Sequence, residues 1–284
     1  METLLDKCKK IEEDYSIIID YLEERRYEEY KGFQTFNSAI VPNPEILFIG
    51  INPGPGAYNE ANRGKHPDII YPNRLAGSLE ELDWYKSGNA RGYFIGKKFN
   101  SVEWYRRDVK KVNNSFVRNM INLLYETAGR LSSDWIMEPD SSKLPPWSDG
   151  WGKRIMFMNL YPMATESIKG LYTILNRMTK ENRLESCWEG IDGRLDNWKI
   201  RRFFIRHVYQ TLQLLKPKCI VCLGMSAYND FMFRSEKKQL VKGEKTIGDT
   251  KYPVIGFSRK GAWGARVKDI SQLIVSCLVN PDLG

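Results

Sequence analysis

Four short apolar runs punctuate the chain, Glu45 to Ile51, Arg154 to Asn159, Lys218 to Gly224 and Tyr252 to Phe257. Each is almost continuously hydrophobic, the pattern of strands buried on both faces of a parallel sheet. Helical patterns separate them at Ser115 to Arg130, Thr165 to Met178, Trp198 to Leu215 and Ser226 to Arg234, with a last helix at about Gly264 to Leu278 and a first over Thr3 to Glu24. Strands alternating with helices predict an α/β fold, a three-layer sandwich with a central four-stranded parallel sheet flanked by helices and joined by right-handed crossovers. In such folds the site lies beyond the carboxyl ends of the strands. The segments that follow the four strands are Asn52-Pro-Gly-Pro-Gly56, Leu160-Tyr-Pro-Met-Ala-Thr165, Met225-Ser-Ala227 and Ser258-Arg-Lys-Gly-Ala-Trp263.

The 284 residues are read as a single domain, 1–284, with an N-terminal helical extension at about 1–40. Two irregular stretches, 56–114 and 131–152, are rich in Trp, Pro, Asn, Ser and Gly and too long for ordinary connections. They are expected to carry specificity or to add packing around the rim. No internal repeat or low-complexity tract is present.

Five cysteines, Cys8, Cys187, Cys219, Cys222 and Cys277, form no disulfide framework and suit a reducing compartment. Cys219 and Cys222 make a C-x-x-C, but extended residues three apart point to opposite faces, so both are expected to be buried structural thiols and no metal is expected. No stretch approaches the roughly 20 apolar residues of a membrane span, and the N-terminus has no charged leader followed by an apolar core. A cytoplasmic protein with no membrane partner is the expectation. The formal charge of +8 makes an anionic partner plausible, because phosphate neutralisation supplies most nonspecific nucleic-acid affinity.

Gly50-Ile-Asn-Pro-Gly-Pro-Gly56 is a strand running into a rigid turn: prolines fix φ, glycines allow close approach, and an Asn stands at the strand end. It is not a phosphate loop, lacking the Gly-Lys-Ser/Thr ending, nor a dinucleotide loop, lacking G-x-G-x-x-G at a helix start. It resembles the first motif of the uracil-DNA glycosylase superfamily, in particular the mismatch-specific and single-strand-selective branches with G-I/M-N-P-G. Met158-Asn-Leu-Tyr-Pro-Met163 resembles the family's second-strand motif, and Leu215-Lys-Pro-Lys-Cys-Ile-Val-Cys-Leu-Gly-Met-Ser-Ala227 its K-P-x-h-h-h-h-L-G-x-x-A element, h being apolar. Gly256-Phe-Ser-Arg-Lys-Gly261 takes the place of the final His-Pro-Ser or Asn-Pro-Ser loop, keeping only Ser258. The resemblance covers about Glu45 to Leu278.

The resemblance implies roles position by position. Asn52 would hold and polarise the water that attacks C1′ of deoxyribose, where positioning and electrostatics outweigh proton removal because the base departs early. Asn159 would read the edge of a flipped pyrimidine with one donor and one acceptor. Ile51 belongs to the base pocket, and Tyr58 or Tyr71 would stack on the base. Ser258, Arg259, Lys260 and Trp263 would grip the phosphate backbone and fill the hole left by the flipped base. Some family members carry an iron–sulfur cluster; no four-cysteine spacing here matches one, and no cofactor is expected.

The departures matter as much. Aligned on Ser258, Gly256 stands where some branches carry the histidine that steadies charge on the leaving uracil O2, and Phe257 where they carry proline. The only histidines are His66, in an insertion, and His207, expected as a satisfied helix-face residue. Leaving-group help must then come from backbone N–H groups or Lys260, or the base is not uracil. The expectation is a monofunctional DNA glycosylase, monomeric, acting on single- or double-stranded DNA at uracil or, in the favoured version, at a modified pyrimidine such as the hypermodified cytosine of phage DNA, in antiviral defence rather than repair. The alternatives are a catalytically silent DNA-binding or partner-blocking fold member and an unrelated nucleotide-handling α/β enzyme.

Overall fold

The four apolar runs form neighbouring strands of one sheet. The computed structural model describes residues 4–30, 33, 35–36, 40, 42–53, 115–131, 154–188, 197–260 and 263–279. Within them the chain runs α1 (Leu4–Glu13), α2 (Ser16–Arg25), β1 (Ile46–Gly50), α3 (Ser115–Arg130), β2 (Ile155–Asn159), α4 (Ile168–Met178), a 3-10 helix (Asn182–Trp188), α5 (Asn197–Leu215), β3 (Cys219–Cys222), α6 (Met225–Met232), β4 (Leu240–Ile247), β5 (Thr250–Phe257), a second 3-10 helix (Trp263–Arg266) and α7 (Val267–Val279). The sheet order is β2-β1-β3-β5-β4.

β1, β2, β3 and β5 are parallel, as expected, but the sheet has a fifth strand: β4 pairs antiparallel with β5 and forms an edge. The hairpin turns at Gly248, whose φ of +58° is the left-handed geometry that glycine adopts without steric cost. The expected four-stranded sheet is therefore corrected to a mixed, mostly parallel five-stranded one.

Side chains alternate across the sheet and build two cores. Leu47, Ile49, Met156, Met158, Ile220, Cys222 and Val254 face one layer, packed by α1, α2, α4, α5 and α6. Ile46, Phe48, Ile155, Phe157, Cys219, Val221, Ile255 and Phe257 face the other, packed by α3 and α7. Burying both faces explains why these strands read as unbroken apolar runs, each fully buried side chain contributing roughly 1.5–3 kcal/mol. Cys219 and Cys222 fall in opposite cores, and both are free thiols. Burial raises the pKa of Cys222, which keeps it in the unreactive protonated form.

The expected single N-terminal helix is two, broken at Asp14 and Tyr15. The Tyr15 ring lies 5.3 Å from Phe33, 5.6 Å from Phe204 and 4.7 Å from His207, so the break sets a large aromatic into the core beneath α5. His207 is the satisfied residue expected: Nδ1 meets the Phe203 carbonyl at 2.8 Å and Nε2 meets Asp14 at 3.0 Å. Phe33 and Phe36 bridge to Met163 and Met158, carrying the N-terminal segment along the β2 edge. No helix among the described residues is long and apolar enough to cross a membrane.

Candidate active site

The register Gly50↔Asn159 places the last residues of β1 and β2 side by side. Beyond them the two loops are knitted together: Leu160 N–H donates to Gly50 O at 2.8 Å and Tyr161 N–H to Ile51 O at 2.9 Å. A Cβ on Gly50 would stand 3.1 Å from Asn159 Oδ1, so glycine here lets the Asn159 amide lie across the end of β1. Asn159 itself is buried, its N–H donating to Thr35 O at 2.9 Å.

Asn52 lies partly exposed in the turn that follows. Its Nδ2 faces Met163 O and Pro53 O at 3.1 Å each and Thr165 Oγ1 at 2.9 Å. Two of these partners are backbone carbonyls, which only accept, so the nitrogen is fixed on that side and Oδ1 must face the other way. No donor among the described residues reaches Oδ1. The Thr165 hydroxyl passes the bond on to Ser167 O at 2.8 Å, and Ser167 caps α4 by accepting from Gly170 N–H at 3.1 Å. The orientation of Asn52 is thus wired to a helix start.

The second-strand loop is braced from below. Tyr161 Oη donates to Asp230 Oδ2 at 2.8 Å, and Arg201 Nη1 lies 3.3 Å from Asp230 Oδ1. Burial raises the Asp230 pKa, an effect that Arg201, Tyr161 and Tyr172 only partly offset.

At the end of β5, Gly256 and Phe257 lie in the strand and the loop starts at Ser258, in agreement with the apolar run Tyr252 to Phe257. Gly256 pairs with Cys222 and Val241, and a Cβ on it would meet the Tyr228 ring at 2.4 Å. A histidine at 256 would have to occupy the space of Tyr228; the position is strand interior, not loop. Trp263 is 5% exposed, its ring 5.1 Å from Phe257 and 6.2 Å from Phe116. Ile51 turns its side chain into the core.

Ser258 organises the loop. Its Oγ accepts from Lys260 N–H at 3.2 Å, and its carbonyl accepts from Arg266 Nη1 at 2.8 Å. Lys260 and Arg259 are exposed. The Arg259 guanidinium rests 4.5 Å from the Phe116 ring centroid, and its Cδ lies 3.6 Å from where a Cβ on Gly224 would be, which places it over the end of β3. Tyr58, Tyr71 and His66 lie outside the described residues, as do positions 56–114 and 132–150. Among the described residues no group of three or more His, Cys, Asp or Glu is arranged to hold a metal ion.

Sequence reasoning missed Thr165, Met163 O and Thr35 as parts of the site. The pattern Thr165-Glu-Ser167 before a helix signals a cap, but nothing local tells that the same threonine reaches across to Asn52. No protein-family model matches the chain, and no curated protein sequence matches it.

Proposed function

We propose that the chain is a monofunctional DNA glycosylase of the uracil-DNA glycosylase superfamily, with the three-layer architecture of that superfamily. It hydrolyses the N-glycosidic bond of a flipped base and leaves an abasic site. The observation that carries this reading is the adjacent placement of Asn52 and Asn159 at paired strand ends, with the Asn52 nitrogen held by three acceptors.

In this mechanism Asn52 Oδ1 accepts a hydrogen bond from water and aims its oxygen at C1′. The bond to the base breaks with its electron pair going to the base, the sugar passes through an oxocarbenium-like state, and the water oxygen bonds to C1′ while its proton leaves to solvent or base. A pre-set amide needs no reorganisation as charge develops, which is the source of its effect. Asn159 reads the base edge, and Arg259 and Lys260 hold the backbone phosphates. With Gly256 inside β5, no side chain at that position reaches a leaving uracil O2, which supports a modified pyrimidine, such as a hypermodified cytosine of phage DNA, and a defence role in the cytoplasm. A second reading, a DNA-binding fold member without turnover, draws on the same packing at Gly256.

The test incubates the protein in EDTA with oligonucleotides carrying uracil, a thymine mismatch, hydroxymethylcytosine or glucosylated hydroxymethylcytosine, followed by alkali. Strand breaks on at least one substrate are expected, lost about 100-fold or more in Asn52→Ala. Absence of breaks on every substrate, with DNA binding kept, selects the second reading.

A further inference from the structure

Residues 197–251 contain twelve lysines and arginines against four acidic residues, an excess as large as the net charge of the entire chain, +8. Part of this charge is arranged on aromatic rings along one side of the molecule. Trp198, Arg202 and Tyr209, at intervals of four and seven, share one face of α5. Lys245 Nζ lies 4.9 Å from the Phe233 centroid and 5.1 Å from that of Tyr209, and the Arg202 guanidinium lies 5.9 Å from Phe233. Trp198 and Phe233 are 42% and 40% exposed.

Phe233 is unusual in two respects. It caps α6 at φ +53°, where glycine is the ordinary residue and a bulky side chain is disfavoured. Its exposed ring is nonetheless kept there, in a rigid setting: Tyr209 Oη donates to Phe231 O at 2.5 Å, locking α5 to the end of α6. Arg201, paired with the buried Asp230, adds its own guanidinium to the strip 4.8 Å from the Trp198 ring centroid, while Glu236 accepts from the Lys237 and Lys238 N–H groups and Glu244 alternates to the opposite side of β4 from Lys245. Burial and the nearby Arg234 charge push the Lys245 ammonium below its usual pKa, a cost that an incoming phosphate would relieve.

We propose that Trp198, Arg202, Phe233 and Lys245 form a second nucleic-acid contact, a track for a single strand that leaves the Asn52 end of the sheet along α5. α5 ends where Leu215 O meets Asn43 N–H, below the start of β1, so its first turn stands at the carboxyl ends of the strands. From there to Tyr209 the track descends about 16 Å at 1.5 Å per residue. Flat exposed rings interleaved with cations match unstacked bases and their phosphates; an acidic peptide would use the cations and leave the rings idle. The proposal extends the DNA reading but does not depend on catalysis at Asn52.

The test is fluorescence anisotropy of labelled oligothymidylate, which carries no base to excise, with the full chain over a salt series. Phe233→Gly removes the ring while easing the backbone, so thermal stability should hold or rise while affinity falls about tenfold. Arg202→Gln with Lys245→Gln should lower the magnitude of the salt slope by about 1 to 2. Unchanged affinity in the first variant and unchanged slope in the second would overturn the proposal, as would polyglutamate competing as well as DNA. Binding that follows the track without base release on any substrate would sink the catalytic reading alone, and base release with an unaffected Phe233→Gly variant would sink this one alone.

Discussion

Replacing Gly256 with alanine adds one methyl group at a point where the structure has no room for it. The ideal Cβ would lie 2.4 Å from two ring carbons of Tyr228 and 2.6 Å from its Cβ, against an optimal carbon separation of about 3.5–4.0 Å. The ring must move by about 1 Å, yet the far end of the side chain is blocked as well: the Tyr228 hydroxyl stands 2.6 Å from where a Cβ on Gly243 would be. Two glycines on adjacent strands thus form a groove in which one tyrosine of α6 lies. Overpacking of this kind costs about 1–3 kcal/mol, and the larger value is expected, reduced by the roughly 0.5–1 kcal/mol that alanine returns relative to glycine in a strand. The net expectation for Gly256→Ala is a loss of about 2 kcal/mol in urea unfolding, seen as a lower midpoint at constant slope. In a Tyr228→Ala background the same substitution should be neutral or slightly stabilising, giving a coupling of about 2 kcal/mol. A loss below about 0.5 kcal/mol in the parent, or an equal loss in both backgrounds, would refute the packing argument. Gly256→His should be worse than alanine.

Glu12 is wholly buried, and burial raises its carboxyl pKa to about 8, the Thr35 hydroxyl offsetting only part. A folded pKa above the unfolded value means the native state binds the extra proton, so stability is full below about pH 4.5 and declines as pH rises through about 8. Glu12→Gln should flatten that decline and be more stable than the parent at pH 8 by about 3 kcal/mol or more, measured by denaturant unfolding at pH 5 and pH 8; a parallel pH dependence in both proteins would contradict it. Thr165→Val keeps the shape but deletes the acceptor for Asn52 Nδ2 and the donor to Ser167 O. It should cost about 1–2 kcal/mol of stability and lower abasic-site formation, with substrate binding held constant, if the orientation of Asn52 is what that hydroxyl sets.

Strands buried on both faces were the most legible part of the sequence, because full burial forces unbroken apolar runs; β1, β2, β3 and β5 fall within two residues of their expected bounds. β4 escaped notice for the converse reason. An edge strand is wet along much of its length, so Leu240-Val-Lys-Gly-Glu-Lys-Thr-Ile247 carries charges, and only the following Gly248-Asp249 hinted at a hairpin. The site was half legible. Asn52 and Asn159 could be located at strand ends, but their adjacency depends on sheet order, and the Thr165 bridge on the path of a loop. Trp263 shows the limit of composition: nothing local tells that its ring packs on Phe257 and Phe116. Gly256 stood within an expected strand, but nothing local told that the Tyr228 ring fills the space where its Cβ would be.

The two rims of the sheet are closed by different means. β4 shields β5 with a strand studded with Lys242, Glu244 and Lys245, and Phe33 and Phe36 lie along β2. Open rims invite strands from other molecules, and charge or coverage is how folded proteins discourage such pairing. Phe33 and Phe36 put part of the N-terminal segment over the β2 rim. A shortened chain starting beyond residue 40 would bare the apolar rim at β2 and would also lose Thr35 O, the acceptor of the Asn159 N–H, and the buried Tyr15, Ile18 and Leu22, so precipitation and damage at the strand ends should come together.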